Sequence, residues 1–496
     1  MNARTVTVND EVEGVRVVNQ IETVAAQAKL SEIKAEFERW LFDDPDRAAL
    51  LCAIYNERFN AFRVRDYDGS HLSAPGLNRK INLRPHQKNA VWLILQSRST
   101  LLHHEVGMGK TLAALVATME SKRLGLTRKA MIVVPNHITS QWNMSALAAY
   151  PGANILAPTP ADLSKSKRGE FLSRVATNDW DIIIVPFSSF KLLPVSAETQ
   201  SDFYQREIDT LFDYLSELKA DKSPTRAIKE IEKSIKRFQV KLDNLADMRK
   251  DDEKTITWEE LGVDMLIVDE FHFFKNLYFS TRMTRIAGLT NTDSQRAFDM
   301  FVKFSWTQHN SGKVIGLTGT PVTNTLAEFF TMQRYFQLET LQELGLSHFD
   351  AWANQFALAE AGLEMTPDGS GFRMNTRFRK FVNVPELMQI WFQVVDAKRV
   401  DDHSGIEHPD LFEGKPVKVL TDGGKELLDY VSTLAERAEK VRARLVRPDV
   451  DNMLCITGIV PAKRNYFPTD YELILCLFRC FSCKDLLILC GDTETV

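Results

Sequence analysis

From Ser99 onward the chain alternates short runs of apolar residues with longer stretches of helical period. The apolar runs are Ser99–His103, Ala130–Pro135, Trp180–Pro186, Met265–Val268 and Lys313–Leu317. Each ends in a loop rich in Gly, Pro, Thr, Asp or His. This alternation predicts strands and helices of a parallel α/β sheet, in which functional loops gather at the carboxyl ends of the strands.

Helical patterns flank and interrupt that core. Leu30, Ile33, Phe37, Trp40 and Leu41 recur three and four residues apart or adjacent, predicting helix over residues 20–65 before a Gly/Ser/Pro-containing connector at 66–80. Between 197 and 257 the strand pattern stops. Tyr204, Ile208, Leu211, Leu215 and Leu218 form one apolar stripe, and Ile228, Ile231, Ile235, Phe238, Leu242 and Leu245 form another. Two such stripes separated by LKADKSPTR predict an antiparallel helical hairpin projecting from the sheet. After residue 326 the pattern is mostly helical to about 450, with a loop marked by Pro367, Gly369 and Gly371. The expected organisation is a helical segment and linker at 1–75, an α/β lobe at 76–330 carrying the 197–257 insertion, a helical region at 331–450, and an atypical tail at 451–496.

The composition is that of a globular chain: 496 residues, 44% hydrophobic and 26% charged. It excludes a disordered, collagenous or membrane-bundle class. The net charge of −5 means that nucleic acid would be met only through a local basic surface. Lys222, Arg226, Lys229, Lys233, Lys236, Arg237 and Lys241 oppose only Glu230 and Glu232, a local excess of +5. That stretch would either track a phosphate backbone or form the solvated face of a coiled coil. No apolar leader opens the chain and no uncharged apolar stretch reaches 18 residues, so the expectation is a cytoplasmic protein without a membrane partner. Residues 1–454 hold one cysteine, Cys52, whereas Cys455, Cys476, Cys480, Cys483 and Cys490 crowd the end. The body therefore reads as reduced. The tail cysteines would bind zinc, or the tail marks a truncation or frameshift where the pattern of the preceding chain is lost; the abrupt change of composition beyond Gly458 favours the second.

The strongest chemical signal is a strand running into Gly107-Met108-Gly109-Lys110-Thr111, with a helix beginning at once in LAALVATM. Phosphates need converging backbone N–H groups, and glycine lets the chain approach them closely. Lys110 would reach the β and γ phosphates of ATP, and the Thr111 hydroxyl would ligate Mg²⁺. The strict pattern has glycine where His104 stands. Met265–Val268 runs into Asp269, Glu270, Phe271 and His272. Asp269 would hold Mg²⁺, Glu270 would polarise the attacking water, and His272 would contact residues sensing the γ-phosphate; alternatively the carboxylates cap a following helix. The Gln87 amide offers adenine a donor and an acceptor, or simply starts a helix. Asn136 and His137 would meet a nucleic-acid backbone, and Thr318, Gly319 and Thr320 would relay nucleotide state to the acidic motif.

With Leu83–Gln87, Glu105–Thr111, Val133–Trp142, Asp269–His272 and Leu317–Asn324 in this order, the sequence resembles the first motor lobe of superfamily-two helicases and translocases, in the Swi/Snf-like branch. Its N-terminal FERWLFDDPDR, YDGSHLSAPG and LRPHQKNAVW resemble phage- and plasmid-borne DEAD/DEAH-box helicases often fused to DNA methyltransferases. The resemblance implies a RecA-like P-loop NTPase sheet, ATP and Mg²⁺ as cofactors, and duplex DNA as partner. It also implies a methyltransferase or a second-lobe chain as a further partner. Gln87 would contact adenine; Gly107, Met108, Gly109, Lys110 and Thr111 would bind nucleotide; Lys110, Asp269, Glu270 and His272 would serve hydrolysis. Phe271 stands where such motors usually carry Ala or Gly. A second lobe would bring an arginine finger, and its Q-x-x-G-R-x-x-R signature is not in this sequence. ATP binding coupled to DNA is therefore the expected function, with hydrolysis awaiting a second lobe; the alternatives are a non-catalytic binding module and an inactive truncated product.

Overall fold

A computed structural model of the protein describes residues 8–12, 15–59, 63–159, 162, 167–220, 225–248, 256–281, 283, 286, 289, 294–323, 325–365, 372–399, 425–443, 445–447, 450–452 and 455–456. The tail cysteines beyond Cys455, the loop at 366–371, Lys222 and Asn324 lie outside these residues. The chain divides into two units: Met1–Ala361 with Thr376–Asp401, and Gly362–Asn375 with Asp402–Val496.

The first unit is built on seven parallel strands. In chain order they are β1 (Ser99–His104), β2 (Ala130–Val134), β3 (Ile155–Leu156), β4 (Ile182–Pro186), β5 (Met265–Val268), β6 (Lys313–Thr318) and β7 (Val395–Lys398). Across the sheet they lie in the order β7-β1-β6-β5-β2-β4-β3. The five strands read from the sequence form within one or two residues of their expected bounds. All residues of β2, β4, β5 and β6 are buried. That accounts for their unbroken apolar runs, because helices cover both faces. Alternate side chains go to opposite faces: Leu102, Ile132, Ile184, Ile267 and Leu317 pack on one, and Leu101, Val133, Val185, Leu266 and Val314 on the other.

Helices α1 (Gln20–Asp43) and α2 (Pro45–Phe59) precede the sheet, and α3 (Pro85–Gln96), α4 (Lys110–Arg123) and α5 (Thr139–Ala149) cover its first face. The stripe predicted in α1 does not make a core there: Ile33, Phe37 and Trp40 are all exposed. The opposite face carries α6 (Ala197–Ala220), α7 (Thr225–Met248), α8 (Gln295–His309) and α9 (Leu326–Phe336).

The helical hairpin is present as α6 and α7, but it does not project. Tyr204, Ile208, Leu211, Leu215, Ile231, Ile235 and Phe238 of its stripes are buried in the main core, with Ile228, Leu242 and Leu245 partly buried against it; there Tyr204 stacks on Phe298 at 5.3 Å and Phe203 meets Phe301 edge-on at 5.5 Å. Tyr214 donates to Asp350 at 2.7 Å, and Arg334 bonds to Glu207 at 3.2 Å. An arm needs only its own two stripes, whereas this one also presents aromatic side chains to α8 and to the segment 348–350. The basic surface is accordingly reduced. Lys229, Lys233 and Lys236 are exposed, but Arg237 lies over Tyr278 at 4.7 Å and Lys241 over Phe298 at 5.1 Å.

The helical reading of 331–450 fails in two places. Ala357–Met365 and Phe372–Phe381 form a two-stranded sheet, and β7 joins the main sheet beside β1. Residues 384–391 do form a helix, with Pro385 in its first turn. In the second unit a helix spans Lys425–Arg442, and Arg437 forks onto Asp451 at 2.8 and 2.9 Å. No helix among the described residues is long and apolar enough to cross a membrane.

His348 stacks on Tyr214 with ring centroids 4.3 Å apart, and burial, with the Arg334 charge beside it, pushes its imidazole down from 6.5 to about 4. As pH falls the unfolded chain takes up this proton first, so the group's contribution to stability is fully present above about 6.5 and is lost toward pH 4. His348→Phe keeps an aromatic ring and removes the proton. Its unfolding free energy should fall less steeply than wild type between these pH values in urea titrations, and identical slopes would refute the assignment.

Candidate active site

Parallel register sets the site. His103 is level with Thr318, Val268 with Gly316, and Val133 with Val268, so the loops after β1, β5, β6 and β2 leave the same edge of the sheet. The loop after β1 turns through Gly107 and Gly109, both left-handed at φ 92° and 78°. Gly109 is the N-cap of α4, and a Cβ there would sit 2.2 Å from Gln87 Nε2. Glycine is thus needed for conformation and for space. Helix formation follows from the Ala- and Leu-rich start of α4, with Lys122 and Arg123 in its last turn complementing the dipole. The first-turn N–H groups of α4 have no intrahelical acceptors and point toward the loop, an anion-binding end.

Lys110 is held at that end. Its Nζ donates to the carbonyls of His104 at 2.7 Å and Glu105 at 3.4 Å. Burial lowers its pKa, and the charges of Glu270 and Asp269 oppose that shift. Asp269, buried at the end of β5, is fixed on both oxygens: Trp142 Nε1 donates to one at 2.8 Å and the Glu270 N–H to the other at 2.9 Å. Burial raises its pKa, the two hydrogen bonds and Lys110 work the other way, and Glu270 adds to the rise. A fixed carboxylate with further lone pairs, a threonine at the first turn of α4 and a nearby ammonium make a donor set suited to a hydrated Mg²⁺ and phosphate.

Glu270 adopts the left-handed conformation at φ 49° and ψ 50°, unusual for a residue with a side chain. Its carboxylate lies 3.2 Å from His272 Nδ1, which also lies 3.2 Å from Thr318 Oγ1. The Thr320 N–H donates to the same hydroxyl at 3.1 Å. Burial lowers the His272 pKa, with Glu270 opposing. Glu270, His272, Thr318 and Thr320 therefore form one continuous polar chain, and Gly319 lies beside it, close to Lys110. Further out, Lys275 pairs with Glu328 at 3.0 Å and also reaches the Thr323 hydroxyl.

Four sequence-derived positions behave differently. Gln87 is buried with its amide engaged by the protein: Oε1 accepts from Arg84 N at 2.9 Å, while Nε2 reaches the Met108 and Gly109 carbonyls at 3.4 and 3.3 Å. Met108 is likewise buried, and its carbonyl also meets His86 Nε2 at 2.9 Å. Asn136 and His137 are exposed on a short 3-10 turn after β2, where Asn136 accepts from Ser188 N at 3.1 Å. The sequence reading missed Trp142 as the anchor of Asp269 and Asp396 as the partner of His104, at 2.7 Å. No spacing rule joins residues 127 or 292 positions apart. Against β7 lies a cavity of about 410 Å³, lined by Tyr67, Asn89, Phe392, Asp396 and Lys398 among others.

A family model described as a probable helicase domain matches residues 92–399, and a second, a domain of unknown function, matches residues 1–61. The chain belongs to this helicase-domain family. It is also similar to the Defense against restriction protein B of Escherichia phage P1, 22% identical over 457 residues. That match covers 83% of the chain but only 20% of the phage protein, so the chain spans about a fifth of its relative's length. A solved SWI2/SNF2 ATPase core of Sulfolobus solfataricus in complex with dsDNA matches 75% of the chain and 55% of its own, at 13% identity and a TM-score of 0.36. Likeness at that level is too loose to carry the fold. The RecA-like P-loop architecture of this helicase-like domain rests on its own sheet and loop.

Phe271 in the acidic motif is fully buried against Phe274, Phe304, Tyr335 and Phe336, with centroids 4.9–5.8 Å away. Gly316 on the neighbouring strand provides the room: a Cβ there would lie 2.6 Å from Phe336, 2.9 Å from Leu101 and 3.1 Å from Phe271. Gly316→Val should therefore cost about 1–3 kcal/mol by overpacking, read as a lower denaturation midpoint. Phe271→Ala carries its own cost of about 3–5 kcal/mol, so the double variant should lose less than the sum of the two single losses. A neutral Gly316→Val would refute the packing account.

Proposed function

We propose that this chain is the ATP-binding lobe of a DNA translocase, with Mg²⁺ as its ion and duplex DNA as its track. The observation that carries this reading is the arrangement at one sheet edge: Lys110 and the first turn of α4, Asp269 fixed by Trp142, and the Glu270–His272–Thr318–Thr320 chain. The helicase-domain match supports it. ATP supplies the phosphoryl group whose transfer to water releases free energy. Lys110 would leave the His104 carbonyl to meet phosphate, and Thr111 and Asp269 would hold the ion. Glu270 would orient water, its left-handed backbone aiming the carboxylate away from the strand. His272 and Thr318 would convey changes at Glu270 to the segment Thr320–Thr323 and so to Lys275 and Glu328.

Hydrolysis on this reading is slow until a second lobe supplies an arginine, a contribution of about 10³–10⁵ in comparable NTPases. Lys110→Ala should weaken Mg-ATP binding at least about tenfold, the loss expected from one charge-assisted contact. Calorimetry measures this, and an unchanged affinity would sink the reading. Steady-state phosphate release should be slow with or without duplex DNA. Fast DNA-stimulated turnover abolished by Lys110→Ala would show that no second lobe is needed.

Exposed Lys229, Lys233 and Lys236 on α7 offer the phosphate backbone a basic row. Replacing all three with Gln should reduce the slope of log affinity against log salt by about two to three, near 0.9 per lost phosphate contact. An unchanged slope would place the DNA surface elsewhere.

A further inference from the structure

The first residue of the phosphate loop is tied sideways to a strand from far along the chain. His104 stands where the strict pattern has glycine, and its side chain is fully buried. Its Nε2 lies 2.7 Å from Asp396 Oδ2, while Nδ1 has no partner among the described residues. A ring whose Nδ1 faces nothing donates from Nε2, so the contact is an N–H aimed at a carboxylate, a strong hydrogen bond in a buried setting.

The backbone repeats the link. His104 is level with Lys398 in the β7–β1 register, and the Glu105 N–H donates to the Lys398 carbonyl at 3.0 Å. On its other side the His104 carbonyl accepts from Lys110 Nζ at 2.7 Å. One residue thus joins the lysine of the phosphate loop to an edge strand, and that strand is the last element of its unit before the unit's end at Asp401. A glycine at this position could bond to the strand only through its backbone. The histidine ring adds a side-chain tie that holds the loop's first residue to β7.

We propose that His104 and Asp396 are positioning residues that clamp the phosphate loop to β7 and thereby set its affinity for nucleotide. The clamp makes loop geometry depend on where residues 395–398 sit, so a pull on the chain beyond β7 would loosen nucleotide, and nucleotide would in turn hold β7 in place. This rests on reading the loop as a nucleotide site.

The test uses the full chain and two independent readouts: amide hydrogen exchange at residues 104–110 without nucleotide, and affinity for a fluorescent ATP analogue with Mg²⁺. Asp396→Ala should speed exchange at the loop selectively and weaken the analogue about tenfold, the loss expected for a hydrogen bond to a charged group. Asp396→Asn retains an acceptor oxygen for Nε2–H and should recover most of both. His104→Gly restores the strict pattern and decides the matter if Asp396→Ala does not fold; it should reproduce the faster loop exchange and weaker binding. Wild-type exchange and affinity in either folded variant would overturn the proposal. So would faster exchange spread evenly over β1, β5 and β6, the mark of a merely structural contact. If the wild-type chain binds no nucleotide, the nucleotide reading fails, and exchange in the nucleotide-free protein still decides whether the clamp holds the loop.

Discussion

Burial disfavours the charged forms of both Lys110 and Asp269; the Glu270 charge and then Asp269 oppose this for Lys110, and the Trp142 and Glu270 hydrogen bonds and then the Lys110 charge oppose it for Asp269. A lone ammonium or carboxylate at this depth would cost several kcal/mol. The sheet offsets that penalty by ending β1 and β5 at one edge and by giving both groups hydrogen-bond partners: the His104 carbonyl accepts from Lys110, and Trp142 and the Glu270 amide donate to Asp269. The strands, in turn, hold that register because their alternating Ile, Val and Leu side chains fill two cores at once. A slip of one residue would exchange the faces of every strand. Site and core are therefore two consequences of one alignment.

The aromatic packing behind the acidic motif extends the same constraint outward. Phe271 fills the space that Gly316 leaves, and Tyr335 meets its ring edge-on at 4.9 Å while its hydroxyl lies within hydrogen-bond distance of the carbonyls of Phe274 and Ala297, at 3.1 and 2.8 Å. The residue after Glu270 is thereby locked in the core, a support for the left-handed backbone that aims Glu270 at His272. From there the polar chain runs through Thr318 toward Thr323, where Glu328 on α9 accepts the backbone N–H at 2.8 Å. A change at the carboxylate edge thus has a physical route to a helix of the opposite face.

Much of this was legible in the residue order. Buried parallel strands need continuous apolar runs, so β1, β2, β4, β5 and β6 announced themselves, and a strand entering Gly-Met-Gly-Lys-Thr admits few other local structures. The two-residue β3 is too short to show a period. The four residues of β7, Val-Asp-Ala-Lys, carry too little apolar pattern, because an edge strand is buried on fewer sides than a central one. The hairpin stripes were legible as helices, but where they dock depends on Phe203, Tyr204 and Tyr214 finding partners on α8 and in the segment 348–350.

By itself, then, the sequence determined the parallel α/β core, the phosphate loop, the acidic motif and the helical insertion. Each is encoded by neighbours within a few residues, through periodicity, glycine conformation or the chemistry of a short motif. Only the tertiary structure decided that Trp142 anchors Asp269, that Asp396 holds His104, that Gly316 makes room for Phe271, and that the hairpin lies on the body. Those contacts join residues tens to hundreds of positions apart. Their geometry is set by how strands stack in register and how large side chains share a finite volume, which local pattern does not contain.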